Sequence, residues 1–224
     1  MKRADPITSE IFQVGGGNLS ASEDAAVYLI AVNGHAAVVD AGCGASIDLI
    51  LGNIQSCGIA PSGIGTLLLT HCHFDHTGGA DALRGRTGCR IIAHELDAVY
   101  LETGDNRVTA ASWYQADLPG FAIDQKLKAE SETIDIVGRS ITALHTPGHS
   151  TCSVVYLLES DGYKVLFGQD VHGPLDPSLK SDRSAYQRSL HKMLALEADI
   201  LCEGHFGVYK GKERVRQFIS NYLD

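Results

Sequence analysis

The feature that most constrains this chain is the run Thr70-His71-Cys72-His73-Phe74-Asp75-His76-Thr77-Gly78-Gly79, entered directly from the apolar stretch Ile64-Gly65-Thr66-Leu67-Leu68-Leu69. That stretch is short, continuous and opened by Pro61-Ser62-Gly63, so it reads as a buried strand. On an extended chain, side chains two apart share a face. If the chain stays extended past Thr70, His71, His73 and Asp75 point one way while Cys72 and Phe74 return to the core. His76 then reaches the same pocket from the turn released by Gly78-Gly79. Packing alone has no use for such a grouping, and a polar strand end with surface histidines does not account for it. Imidazole and carboxylate donors suit zinc, iron or manganese, not a thiolate-rich structural site. Adjacent Asp75 and His76 diverge at the turn, so a pair of ions accommodates the four donors better than one tetrahedral ion.

The run His71-Cys72-His73-Phe74-Asp75-His76 resembles the His-x-His-x-Asp-His signature of the metallo-β-lactamase fold superfamily. The resemblance extends along nearly the whole chain. Val38-Val39-Asp40-Ala41-Gly42 resembles the family's early strand-end aspartate, and His145-Thr146-Pro147-Gly148-His149-Ser150 its third histidine block. Phe167-Gly168-Gln169-Asp170 resembles the bridging aspartate and Glu203-Gly204-His205-Phe206-Gly207 the last histidine. The order of these blocks is most similar to the glyoxalase II-like hydrolases, since true β-lactamases lack a carboxylate at the position of Asp170.

The resemblance implies an α/β (α+β) fold, a four-layer αββα sandwich, with residues 1–224 forming one domain. It implies two divalent cations, zinc first, with iron or manganese as alternatives. His71, His73 and His149 would hold one, Asp75, His76 and His205 the other, and Asp170 would bridge them. Of the two histidines around Pro147-Gly148, the family pattern selects His149 and leaves His145 structural. Asp40 ends the apolar strand Ala36-Ala37-Val38-Val39. The family pattern makes it a support behind a metal-binding histidine, and the competing reading is a helix N-cap.

Composition narrows the partners. A net charge of −9 argues against nucleic acid, which requires a basic face. No apolar stretch approaches the ~20 residues that span a bilayer, and no apolar signal core follows Met1-Lys2-Arg3. The six cysteines include no Cys-x-x-Cys pair, and without a secretory segment they read as free thiols in a reducing cytoplasm. A small-molecule substrate is the expected partner, and oligomeric state is left open.

Along the chain, residues 7–14 and 25–32 read as the first strands, and Asn33-Gly34 as a hairpin turn returning through His35 toward Asp40. Ile47, Ile50, Leu51 and Ile54 fall on one helix face. A short helix from Ala80, a strand Arg90-Ile91-Ile92-Ala93 and a helix over 94–102 follow, with His94 read as structural. Residues 100–132 are the least regular. There Trp113 and Tyr114 either pack a helix on the sheet or, as the resemblance implies, line the substrate pocket. Thr133 to Val137 and Ser140 to Leu144 read as a hairpin about a glycine, and residues 152–158 and 163–167 as another about Asp161-Gly162. Amphipathic helices are expected over 184–197 and 211–223, with a short strand Ile200-Leu201-Cys202 between. His172, two residues beyond Asp170, is either a substrate contact or a surface histidine.

The activity implied is hydrolysis of a small ester, thioester or lactone by a hydroxide held between the two metals, with Asp75 orienting the nucleophile or passing a proton to the leaving group. The serious rival is a persulfide dioxygenase of the same fold, using one iron at positions matching His71, His149 and Asp170. A non-catalytic, metal-stabilised interaction domain is a third class. The helical region that glyoxalase II enzymes add for the glutathione moiety has no counterpart in residues 206–224.

Overall fold

Two sheets are packed face to face, and their inner faces are built by strict alternation. The computed structural model describes residues 3–136 and 138–224. The first sheet holds β1 (Asp5–Pro6), β2 (Ile11–Gly15), β3 (Val27–Val32), β4 (His35–Val39), β5 (Ile64–Leu68), β6 (Arg90–His94) and β7 (Gln125–Leu127), in that spatial order. β2, β3 and β4 pair antiparallel, and β4 to β7 run parallel. Those parallel pairings need crossovers, which α1 (Ile47–Ser56), α2 (Phe74–Thr77), α3 (Ala80–Thr87) and α4 (Glu95–Thr103) supply. The second sheet comprises β8 (Ser131–Ile136), β9 (Arg139–His145), β10 (Val154–Ser160), β11 (Tyr163–Phe167), β12 (Ile200–Cys202) and β13 (Val208–Lys210), ordered β13-β12-β11-β10-β9-β8. α5 (Arg183–Ala195) carries the chain from β11 to parallel β12, and α6 (Lys212–Ser220) closes it.

Three apolar layers fill the sandwich, one of them between the two sheets. Tyr28, Ile30, Val39, Leu68 and Ile92 of the first sheet meet Ile141, Val154, Tyr156 and Phe167 of the second. The opposite face of the first sheet, with Val27, Leu29, Val38, Leu67 and Ile91, packs on Ile47, Ile50 and Ile54 of α1 and Leu83 of α3. Val155, Leu166 and Leu201 pack on Leu190 and Met193 of α5 and Phe218 and Ile219 of α6. This is the four-layer αββα sandwich. Among the described residues, no helix is long and apolar enough to cross a membrane.

Several local expectations are corrected. Strand β5 ends at Leu68, and the signature residues do not continue it. His73 is the last extended residue, and Phe74 opens a short helix, so Asp75 is presented from a first helical turn and not by strand alternation. The chain turns because Thr70 leaves the ladder to bond Asp40 and Phe74 N–H bonds the Thr109 carbonyl. The first long strand begins at Ile11, not at residue 7. The short pairings β1, β7 and β13 carry too few residues for periodicity to register. Asn33 and Gly34 both take positive φ, the geometry a two-residue hairpin demands. Val137, included in the hairpin read around Gly138, lies outside the described residues; Ile136 pairs with Arg139 across that turn.

Candidate metal centre

The donors come from strand ends and loops on one edge of the two sheets. His71 and His73 sit in the loop after β5, Asp75 and His76 on α2, His149 in the loop after β9, Asp170 after β11 and His205 after β12. The donor atoms of His71, His73, His149 and Asp170 lie within 4.8 Å of one another, as do those of Asp75, His76, Asp170 and His205. Asp170 is common to both groups.

Three of the four buried imidazoles of the centre, His71, His76 and His149, are held by Nδ1, which fixes what Nε2 can do. Thr70 donates its hydroxyl to Asp40 Oδ2 (2.8 Å), so its remaining lone pair accepts from His71 Nδ1 (3.0 Å). His149 Nδ1 donates to the Pro174 carbonyl (2.9 Å), which can only accept. Both Nε2 atoms are therefore bare, and they face each other 3.3 Å apart. Facing lone pairs repel unless a cation lies between them. His73 Nδ1 is 3.0 Å from His71 Nε2 and converges on the same point. His76 Nδ1 donates to Asp40 Oδ2 (2.7 Å), which turns its Nε2 to within 3.1 Å of Asp170 Oδ1, yet the two make no hydrogen bond. His205 Nε2 lies 3.1 Å from Asp75 Oδ2 and 3.4 Å from Asp170 Oδ2. Unpaired, buried nitrogen and oxygen donors are costly in a core. Orphaned His76 Nε2 and Asp170 Oδ1, together with the facing lone pairs, fit a set of cation ligands.

The electrostatics point the same way. Burial pushes the His71 pKa well down, reinforced by His76, His73 and His149. Burial alone would raise the Asp170 carboxyl, but His76, His149 and His205 hold it well below the ordinary carboxylate range. Against the pull of burial, Asp170 and Asp75 push His205 up to about 10. The carboxylates thus draw positive charge into this pocket.

Asp40 occupies a left-handed backbone conformation (φ 61°) that costs a non-glycine residue energy. Its carboxylate accepts from Thr70 N–H, Thr70 Oγ1 and His76 Nδ1. It caps no helix, since the N-cap of α1 is Ser46.

A cavity of about 130 Å³ opens over the donors, walled by Ala110, Trp113, Tyr114, Pro174 and Leu179, with His172 at its edge. Trp113 and Tyr114 lie on a single turn of 3-10 helix (Ala111–Tyr114) whose flanking residues, Ala110 and Gln115, both have positive φ. Burial and the nearby Asp75 hold the Tyr114 hydroxyl protonated far above its usual pKa. His172 donates Nδ1–H to Glu203 Oε1 (2.9 Å), and Glu203 Oε2 accepts from the N–H groups of His205 and Phe206 (2.7 Å each).

Three participants have no role assigned from the sequence. Asp97 on α4 is fully buried and accepts from Cys72 N–H (2.9 Å) and Ser150 Oγ (3.0 Å), tying the loop of His71 to the loop of His149. Glu203 braces the His205 loop. Gly204 is required because a Cβ there would meet Asp170 Oδ1 at 2.1 Å. His94 and His145 lie apart from the centre, with Cys152 beside them. Their donor atoms and that of Cys152 lie within 4.8 Å of one another as a separate group, and the two rings stack 13° from parallel.

The model of the metallo-beta-lactamase superfamily matches residues 23–205. An acyl-coenzyme A thioesterase MBLAC2 of Gallus gallus is 28% identical over 246 residues, covering 97% of this chain and 85% of that protein. A hydroxyacylglutathione hydrolase of Albidiferax ferrireducens is 28% identical over 153 residues, 68% of this chain and 49% of the relative. Among solved structures, a metallo-beta-lactamase from Cronobacter sakazakii superposes with a TM-score of 0.76 at 22% identity, over 91% of this chain and 80% of that one. With the family model spanning most of its length, the chain belongs to the metallo-beta-lactamase superfamily.

Proposed function

We propose that this protein is a hydrolase of small esters, thioesters or lactones that works with two divalent cations, zinc in the first instance, in a reducing cytoplasm. The observation that carries the reading is the convergence of seven donors, six of them buried, with the Nδ1 atoms of His71, His76 and His149 already bonded to the protein. His71, His73 and His149 would hold one cation, Asp75, His76 and His205 the other, with Asp170 shared. When bound, such a pair supplies a hydroxide nucleophile near neutral pH and electrophilic stabilisation of the oxyanion.

The chain's own residues do the rest. Asp40, Thr70 and the Pro174 carbonyl fix the imidazole tautomers, so no rearrangement accompanies loading. Asp75 is placed to orient the attacking oxygen and to pass a proton to the leaving group. The Tyr114 hydroxyl, protonated beside Asp75, is a donor available to the substrate carbonyl. Trp113, Tyr114 and Leu179 exclude water around the scissile bond, and His172, its Nδ1–H held by Glu203, offers Nε2 to the substrate. The thioesterase and hydroxyacylglutathione hydrolase relatives support thioester cleavage as the class of reaction. The six free cysteines support a reducing compartment.

A panel of short esters, thioesters and lactones, assayed with zinc-loaded protein beside an oxygen electrode charged with glutathione persulfide, tests the proposal. Hydrolysis without oxygen uptake is expected. Iron-dependent oxygen uptake with no hydrolysis across the panel would overturn it in favour of the dioxygenase.

A further inference from the structure

The loops that carry the two donor groups are tied to the opposite sheet by one device, used twice. Tyr156 on β10 of the second sheet donates its hydroxyl to the Leu69 carbonyl (2.8 Å), and the Val154 N–H, two residues earlier, bonds the Thr70 carbonyl (2.7 Å). The donor His71 follows Thr70 directly. Tyr28 on β3 of the first sheet donates its hydroxyl to the Glu203 carbonyl (2.6 Å), and the Ala26 N–H, again two residues earlier, bonds the Gly204 carbonyl (2.7 Å). The donor His205 follows Gly204 directly. Each segment also reaches a second ligand loop of the same group. The Ala25 N–H bonds the Asp75 carbonyl (3.2 Å), and Ser153 Oγ is 2.9 Å from the Oγ of Ser150, the neighbour of His149. Residues 25–28 thus brace Asp75 and His205, while residues 153–156 brace His71 and His149.

Apolar packing does not explain the two hydroxyls. Both rings are buried in the layer between the sheets, among Ile30, Val39, Ile141 and Val154. A phenylalanine fills such a space equally well, as Phe167 does beside both, paired with Tyr156 across β10 and β11 and with its ring 5.5 Å from that of Tyr28. A phenol buried there costs free energy unless it is bonded, and a carbonyl oxygen can only accept, so each hydroxyl is committed to its loop. Burial holds both hydroxyls protonated, well above the usual phenol range. Groups behind the ligands of a metal site orient them, and that orientation governs how tightly the ion is held. We propose that Tyr28 and Tyr156 are positioning residues, one for each cation. The Tyr156 hydroxyl holds the site of His71, His73 and His149 in its binding geometry, and the Tyr28 hydroxyl holds that of Asp75, His76 and His205. This rests on the two-cation reading above and deepens it.

Backgrounds with one intact site test the assignment. His205→Ala leaves the His71 site intact, and His71→Ala leaves the His205 site. Zinc affinity is read in each by chelator competition, with Tyr28→Phe and Tyr156→Phe added in turn. In the His71→Ala protein, Tyr28→Phe should weaken zinc binding about tenfold and Tyr156→Phe by less than about twofold. In the His205→Ala protein the order should reverse. Hydroxyls that only stabilise the fold cannot produce opposite preferences, since both tyrosines sit in one apolar layer. Histidine imidazole resonances of the metal-free single variants give a second readout that needs no zinc. Tyr28→Phe should move His205 and leave His71 and His149 in place, and Tyr156→Phe should do the reverse. Equal losses in the two backgrounds, the opposite pattern, resonances that move without this selectivity, or a Phe variant that cannot be recovered folded overturns the inference. A wild-type protein that takes up at most one zinc ion would instead overturn the two-cation reading.

Discussion

The floor of the centre and its cover are built in opposite ways. On the floor, His71, His76 and His149 are buried and each is held by a fixed partner on a separate element: Thr70, Asp40 and the Pro174 carbonyl. On the cover, Trp113 is 51% and Phe206 58% exposed, and the turn bearing Trp113 and Tyr114 is a single 3-10 turn between two strained residues. A floor of this kind sets where donors point before anything binds, which suits chemistry that tolerates little displacement. A half-exposed aromatic cover, the Tyr114 hydroxyl apart, sets which substrates enter. The two regions should therefore respond to substitution in different observables, the floor in metal content and kcat, the cover in KM.

The floor should break most completely at Asp170, the donor common to both groups. Asp170→Ala is expected to cut the metal load from about two ions per chain to below one and kcat/KM by at least ~10³-fold, beyond the usual loss of a single oxyanion donor. Elemental analysis checks this, with His94→Ala as a control that should retain full metal. Equal metal loss in both variants would show that the stacked His94–His145 pair belongs to the centre.

Asp97, beneath the floor, gives the next largest effect, in stability. Burial raises its carboxyl to about 6, against the bonds from Ser150 and Cys72 that lower it. Well below pH 4 the carboxyl is protonated in the folded and the unfolded chain alike. As pH rises toward and past 6 the unfolded chain ionises first, and folded stability is lost, by roughly 3 kcal/mol for a shift of this size. Denaturation of metal-free protein at pH 4 to 7 should show this slope, and Asp97→Asn should flatten it. A slope unchanged in the variant would place the titration elsewhere.

How far each region was legible follows from how it is encoded. The donors were legible because each sits in a short local pattern, an apolar strand followed by His, Asp or Gly, and the resemblance supplied their grouping. The strand geometry offered for Asp75 was wrong, because the turn after His73 depends on Asp40 and Thr109, distant in sequence. Asp97 and Glu203 escaped notice because their value lies in backbone N–H groups of other loops, Cys72 and His205, which leave no trace in composition. Trp113 and Tyr114 were placed by the resemblance alone, since residues 104–124 form no strand or α-helix whose period would reveal a face. The short edge strands β1, β7 and β13 have two or three residues each, fewer than one period of any pattern.

Asp40 should give a smaller effect than either, because it supports His76 instead of contacting substrate. Asp40→Asn keeps an acceptor but removes the charge that holds the imidazole tautomer. Affinity in chelator competition is expected to fall about 10- to 100-fold, with activity recovering as zinc is raised. Activity that stays low at saturating zinc would mean that Asp40 governs the fold of the loop and not the affinity of the site.

The smallest effect belongs to the cover and decides whether the comparison is right. Trp113 lines the cavity beside Tyr114 and contributes no donor atom, and half its surface already faces solvent. Trp113→Ala therefore removes part of one aromatic contact, worth on the order of 1 kcal/mol. KM for a butyryl ester should rise about fivefold, while kcat and metal content stay within a factor of about two. Phe206→Ala should act the same way on esters with a long leaving group and hardly at all on short ones, because Phe206 lines the groove of about 910 Å³ beside the cavity and not the cavity itself. If Trp113→Ala lowered kcat as strongly as it raised KM, the cover would be part of the catalytic constellation, and the division between a floor that reacts and a cover that selects would fail.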